Sequence, residues 1–460
     1  LAWHARERLR IMVVDSRDPD AAGLYGESVT PGRTVLHRIE AEASATLARG
    51  LRAGGLLRIS NEDVRVLEAG PAYYGSQWGS AFAEISARSL RLRLGYCSIA
   101  MTPLTLMRWD WEDNPRIGGD GGCGCGPAAG AILFESLEEL APQLTFEGAL
   151  ASFASRAFDL RLFYAMPRRA VETDYYTYRS GAGDYARYSL ELGGAEARWQ
   201  RVDRRTDSFW RLSARILTVF ENRRSVDFYA LQYPAADPWS NAALASVSAE
   251  IPVVRSVRLL GEIVPWNRVV EGVSTEDGVE NAGRNSTAGM GGVVFAPSGD
   301  RFARADYIRL ESGYTAPFAA LSYEPNMEGL RMSAGGSIAP GRLSCSVFYK
   351  RLREVDEPDA DEETGRRHLS LYGISLDAKS SEWTGGAGWI EKRDWRDDLS
   401  ALPGAYEPVD EKRQAAVAYI SRGFDRYGVV RLEYQRIAGE GSLVDGSCTD
   451  IWSLDAAIKF

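Results

Sequence analysis

Arginine at every second position is the first chemical feature of this chain. Arg91 and Arg93 alternate with Leu90, Leu92 and Leu94, and Arg211 and Arg215 alternate with Trp210, Leu212 and Ile216. Elsewhere acids share the alternating set: Asp159 with Arg161, Glu433 with Arg431, Glu262 near Arg258, and Glu40 and Glu42 beside Arg38. A guanidinium stays charged at any physiological pH and attracts anions, while a carboxylate beside it neutralises the pair or stiffens the wall that carries both. Such a set can filter ions and small solutes by charge. It has none of the paired nucleophile and base that covalent chemistry requires.

Other reactive residue types are sparse. Cys123 and Cys125 form a C-x-C in the glycine-rich stretch 118–130, open to a strained disulfide, a soft-metal pair or two free thiols, but two sulfurs do not make a closed metal site. The three histidines, His4, His37 and His368, are far apart in sequence and none neighbours that pair. His368 is expected near the outer end of a strand, His4 near the opposite end, and His37 on a lipid-facing or interfacial position. Cys97 is expected on the inner face and Cys345 on the outer one. The acidic run in 353–367, with Glu354, Asp356, Glu357, Asp359, Asp361, Glu362 and Glu363, reads as a solvated loop tip and lacks EF-hand spacing. No catalytic constellation and no cofactor motif is present, so neither catalysis nor a cofactor or metal is expected.

The elements that must position these charges are strands. Period-two alternation recurs at Phe158, Leu160, Leu162 and Tyr164, at Leu343, Cys345, Val347 and Tyr349, and at Val430, Leu432 and Tyr434, each with polar residues interleaved. Over 460 residues there is no apolar run long enough for a membrane helix, and mean hydropathy is −0.26. A membrane strand needs only about 9–11 residues, half of them apolar, and passes that test unseen. The net charge of −9 argues against a nucleic-acid surface. The chain begins at Leu1 with no charged and apolar leader, so export has to be inferred from the rest.

Connections alternate in length. Short turns are expected near 49–52, 88–90, 154–157, 202–207, 252–255, 297–300, 338–341, 378–381 and 422–426. Longer segments are expected near 15–32, 62–77, 102–143, 167–184, 221–239, 267–285, 312–328, 354–365, 394–411 and 439–448. This bookkeeping predicts an all-β fold over 1–460: a single transmembrane antiparallel up-and-down β-barrel of about twenty strands, within 18–22. A soluble sandwich or propeller would also alternate, but a polar face that repeatedly holds Arg opposite Asp or Glu suits a water-filled lumen, the short and long connections are not expected of a propeller, and no blade repeat of about 40–50 residues is visible.

The stretch Asp450–Phe460, "DIWSLDAAIKF", puts Trp452, Leu454, Ala456, Ile458 and Phe460 on one face and stops on an aromatic. It resembles the last strand of Gram-negative outer-membrane β-barrel proteins, and "SLRLRLGYCSIAMTPLTLMRWDWED" resembles an early strand of large porin-like barrels running into an outer loop. The resemblance implies a bacterial outer-membrane location, contact with outer-membrane lipid and lipopolysaccharide, recognition by the barrel-assembly machinery through the strand ending in Phe460, and a long early loop folded into the lumen as a constriction. That loop would be built from 108–140 and carry Trp109, Trp111, Asp120, Cys123, Cys125 and Glu135.

The pore lining is expected to comprise Arg38, Glu40, Glu42, Arg91, Arg93, Asp159, Arg161, Arg211, Arg215, Arg258, Glu262, Arg431 and Glu433, with Lys350, Asp455 and Lys459 on the same face. Arg211, Arg215 and Arg258 are expected to form an excess-positive stripe with few acids opposite. About sixteen to eighteen strands leave an aqueous channel and about twenty-two need a plug, so a barrel of twenty is expected to be narrowed by its own loops. The function expected is diffusion of small polar solutes or ions through a charged lumen. The alternative is a structural barrel that houses or anchors a periplasmic or surface protein partner.

Overall fold

A computed structural model of the chain describes residues 2–17, 32–60, 77–106, 144–168, 189–203, 208–222, 239–275, 278–298, 301–314, 316, 326–355, 366–396, 410–424, 427–441 and 447–460. They form twenty antiparallel strands: β1 Ala2–Ser16, β2 Gly32–Ala48, β3 Leu51–Ser60, β4 Gln77–Ala87, β5 Leu90–Ile99, β6 Leu144–Ala154, β7 Phe158–Arg168, β8 Ser189–Asp203, β9 Ser208–Asn222, β10 Trp239–Val254, β11 Val257–Thr275, β12 Gly278–Ser298, β13 Arg301–Leu310, β14 Met327–Ala339, β15 Leu343–Glu354, β16 Arg367–Lys379, β17 Trp383–Arg396, β18 Asp410–Phe424, β19 Gly428–Gly441 and β20 Ser447–Lys459. Each strand pairs with its sequence neighbours, and β1 pairs with both β2 and β20, which closes the sheet. Closure leaves no unpaired strand edge, the condition for placing extended backbone in hydrocarbon.

Alternation decides which face is which. Along β1 the set Arg8, Arg10, Met12 and Val14 is buried, while Leu9, Ile11 and Val13 between them are exposed. The buried set faces the interior and the exposed set forms the outer wall. Carried from strand to strand by the register, the outer face is aliphatic at mid-height, with Leu162, Ile216, Ile374, Leu432 and Leu454. An aromatic girdle borders it at each end: Phe153, Phe158, Trp199, Phe424 and Phe460 toward the short turns, and Tyr164, Tyr307, Tyr372, Tyr434 and Trp452 toward the long connections. No described helix is long and apolar enough to cross a membrane, which leaves the crossing to the strands.

The expected turns fall where the structure has them, between β2 and β3, β4 and β5, and so on to β18 and β19. At the first of these Gly50 has φ +79°, and a Cβ there would meet the Ser86 carbonyl oxygen, so glycine is required. One expected long connection is corrected. Residues 267–285 are for the most part strand: β11 runs to Thr275 and β12 starts at Gly278, with unbroken pairing from Asn267↔Ser286 to Thr275↔Gly278. The Gly, Asn and Glu content that reads as a loop belongs to a hairpin taller than its neighbours, where cross-strand hydrogen bonds rather than an apolar face hold the strands.

Candidate functional site: the barrel interior

The register puts the expected lining residues at inward positions of their strands. Arg38 is opposite Arg8 in register, Glu40 opposite Arg6, and Glu42 opposite His4, whose Nε2 lies 3.4 Å from Glu42 Oε2. Arg91 and Arg93 share the face of Glu84, Asp159 and Arg161 that of Glu196, and Arg211, Arg215, Arg258 and Glu262 that of Glu250. Lys350 is in register with Arg331, and Arg431 with Asp455. Lys459 is opposite Arg6. Cys97 is fully buried on this face and Cys345 is on the outer one. His37 is on the outer wall, hydrogen-bonded to Glu7 at 2.9 Å, and His368 at the long-connection end stacks on Trp395.

The stripe of Arg211, Arg215 and Arg258 does face acids, contrary to expectation. Arg215 binds Glu196 at 2.9 Å and lies 3.5 Å from Glu262, and Arg211 and Arg258 share Glu250 at 2.7 and 2.6 Å. Glu196 also draws Arg161 and Arg198, at 3.6 and 3.2 Å. The acids were missed because they sit on β8 and β10, one strand away. Counting outward from the turn between β8 and β9 places Glu196 opposite Arg215 and is the signal that finds it.

Exposure separates the partners. Arg91 is 52% exposed against 11% for Glu84, and Arg161 43% against 2% for Glu196. Arg211 and Arg258 are 39% and 41% exposed against 16% for the Glu250 they share. The carboxylates lie against the wall with the guanidiniums over them, so lumen water meets the cations. All four arginines are within a few residues of the short turns, and Arg211, Arg255, Arg258 and Glu250 line a cleft of about 230 Å³ there.

Higher in the barrel two inner walls differ. On β14 to β18 one line of register runs Arg331, Lys350, Leu371, Lys392, Arg413: four cations and no acid. Asp306 precedes it on β13 and bridges Arg304 and Arg331 at 2.6 and 3.2 Å. The inner face of β9 to β13 instead carries Leu217, Val219, Leu244, Val264, Ile308 and Leu310, all buried. Two inward segments seat on it. Leu104 and Leu106, just after β5, are fully buried among these residues together with Tyr314, which follows β13. The Thr102 hydroxyl donates to Glu262 at 2.8 Å, and the Tyr314 hydroxyl donates to the Leu104 carbonyl. Burial, with Glu262 nearby, pushes the Tyr314 phenol well above the ordinary tyrosine range, so it remains a donor.

These anchors open the long connection expected to narrow the lumen. The structure describes its first residues to Leu106, and there they fold inward; Trp109, Trp111, Asp120, Cys123, Cys125 and Glu135 lie outside the described residues, as does most of the acidic run 353–367. None of the residues that pin the segment, Thr102, Leu104, Leu106 and Tyr314, stood out in the sequence, because one apolar pair in a loop has no periodicity.

A closed sheet, an apolar outer belt between aromatic girdles and a charged interior meet in one molecule. This is the architecture of a porin-like barrel. No family model matches the sequence, and no curated protein matches it. Among solved structures, the chain is similar to Pseudomonas aeruginosa OpdL, at 12% identity and TM-score 0.43, covering 100% of this chain and 98% of that one. It is similar to Acinetobacter baumannii OccAB3 at 10% identity and TM-score 0.42, covering 100% and 99%, and to a BenF-like porin from Pseudomonas fluorescens at 8% and 0.43, with the same coverage. Similarity at this level assigns this chain no solute.

Proposed function

We propose that the chain is a diffusion channel of a Gram-negative outer membrane that passes small polar solutes and favours anions. Short turns at one end and long connections at the other match the periplasmic and extracellular ends of bacterial barrels, which orients the protein. The observation that carries the anion preference is the exposure difference: Arg91, Arg161, Arg211 and Arg258 face the water of the periplasmic vestibule, and the acids that pair with them do not. Fixed charge at a water-filled mouth with low-dielectric walls concentrates counter-ions. The line of Arg331, Lys350, Lys392 and Arg413 adds cations higher on the wall, where Asp306 pairs with Arg331 and Glu411 with Arg413. Passage makes and breaks no bond; selection rests on aperture and field.

The test is the reversal potential of the purified protein in a planar bilayer under a KCl gradient, with mass spectrometry on the same preparation. Discrete conductance steps and a reversal potential of the anion-selective sign are expected. A cation-selective sign overturns the preference, and absence of conductance together with a stoichiometric companion protein overturns the channel in favour of a barrel that houses a partner.

A further inference from the structure

The outer wall of β12 to β15 breaks the regularity of the lipid-facing belt twice, at adjacent heights. Above the upper girdle, Arg309, Arg351 and Arg353 point outward. Arg309 and Arg353 are 57% and 58% exposed and flank Glu328, at 3.8 and 2.7 Å. Arg351 is exposed and lies between Leu330 and Ser370 in register, with no acid across from it on either side. Among the described residues, the ion pairs of this cluster run to one carboxylate, Glu328, which Tyr307 also binds at 2.8 Å. The outward face of the neighbouring β11 to β12 wall shows no comparable cluster among the described residues; Arg268 stands there alone.

Directly below, the same four strands form an apolar groove of about 450 Å³. Its floor is Ala303, Ala305 and Ala334, and its sides include Met332, Val347 and Tyr349. The register makes the two features continuous: Tyr307 follows Ala305 and precedes Arg309 on β13, and Tyr349 follows Val347 and precedes Arg351 on β15. Small side chains open a trough in the hydrocarbon zone, and a net positive cluster stands at its upper end, at headgroup height.

We propose that this surface is a binding site for a net-anionic lipid of the outer leaflet that bears a phosphate monoester, with that phosphate on Arg351, Arg353 and Arg309 and one acyl chain along the alanine-floored groove. Charge complementarity fixes the headgroup class: arginine forks match phosphate oxygens bidentately and are held above an aromatic belt that sets their depth. A neutral lipid would fill the groove and leave the arginines unmatched. The reading rests on the membrane orientation proposed above and concerns the outer wall alone, so it fails or stands independently of ion selectivity.

The experiment is native mass spectrometry of the detergent-solubilised full chain titrated with diphosphorylated lipid A, beside phosphatidylcholine and with inorganic phosphate as competitor. Lipid A is expected to be retained in preference to phosphatidylcholine. The double variant R351Q/R353Q is expected to weaken retention about thirtyfold, as two surface arginines at about 1 kcal/mol each imply. A305W, which fills the groove, is expected to weaken it as well, while R268Q leaves it unchanged. Single-channel conductance equal to that of the unmodified protein shows that each variant is folded. Undiminished retention in R351Q/R353Q, equal retention of phosphatidylcholine, or full displacement by inorganic phosphate would each overturn the site; the last would make the occupant a free anion.

Discussion

The two inner walls of the upper barrel are made from the same alternating strands and do opposite things. On β9 to β13 the inward positions are Leu217, Val219, Leu244, Val264, Ile308 and Leu310, the larger of the inner apolar patches; a second, with Leu371, Ile390, Ala415 and Val417, runs from β16 to β18 and on to Ile437, Ile451 and Val14. On β14 to β18 the equivalent positions include Arg331, Lys350, Lys392 and Arg413. The first wall is covered by the chain itself, through Leu104, Leu106 and Tyr314. In a ring of twenty strands, the material seated on β9 to β13 narrows the lumen from one side and leaves the passage toward the strands around β1 that lie across from it, with the wall of β14 to β18 flanking that passage. In the proposed channel the first wall sets aperture, while the second adds to the charge of the vestibule arginines, and the two can be altered separately.

The largest effect is expected from undoing the apolar wall. Leu104 and Leu106 have no exposed surface, and truncating each to alanine costs about 2–5 kcal/mol of anchoring. The variant L104A/L106A should give larger and noisier single-channel currents with ion preference nearly intact. Unchanged conductance would mean that the segment does not bound the aperture.

Charge comes next. The variant R91Q/R161Q/R211Q/R258Q removes the exposed guanidiniums and leaves Glu84, Glu196 and Glu250 in place, so the water-facing charge falls. The anion-to-cation permeability ratio is expected to drop about tenfold, the lower end of what a like-charged mouth contributes. Glu196 keeps Arg198 and Arg215, and the fold should persist. Removing Lys350 and Lys392 as K350Q/K392Q should have a smaller effect of the same sign, about two- to threefold, because Lys350 is buried in the wall and acts on the pore only through its field. If this pair shifts the ratio more than the four vestibule arginines do, the selective step lies in the upper barrel. Reversal potentials under a KCl gradient decide both.

Sequence reasoning reached the barrel because alternation and turn spacing are local. Residues 90–96 or 430–435 show their two faces without reference to any partner, and nine short turns fix the parity of the strands between them. Pairing is not local in the same sense. Arg215 shows itself as inward from β9 alone, but that it meets Glu196 and Glu262 depends on register across two neighbouring strands, and a shift of one pair on either side would replace both partners. The tall hairpin of β11 and β12 reads as a loop in sequence for a related reason: above the belt the outer face no longer needs to be apolar, so Asn267 to Ser286 lose the alternation that marks a strand while keeping its hydrogen bonds. The anchoring residues 102–106 had no signal of either kind.

The smallest predicted effect isolates one hydrogen bond of the aperture wall. Tyr314 and Leu104 are both fully buried, and the Tyr314 hydroxyl satisfies the Leu104 carbonyl. In Y314F the ring still fills its place in the apolar cluster, so the segment stays seated, but a buried carbonyl loses its donor at a cost of about 1–3 kcal/mol. That is enough to raise the frequency of brief openings and too little to change the mean aperture, so the expected result is added current noise at constant mean conductance and constant reversal potential. The pH dependence follows from the same geometry. Because burial holds the phenol above its ordinary range, the donor stays protonated as pH rises through about 10, where a free tyrosine would ionise. Current noise in the unmodified protein should therefore stay flat from neutral pH to that point, whereas a phenol exposed by L104A/L106A should titrate normally. A rise in noise near pH 9 in the unmodified channel would show that Tyr314 meets solvent and that the apolar wall is not closed over it.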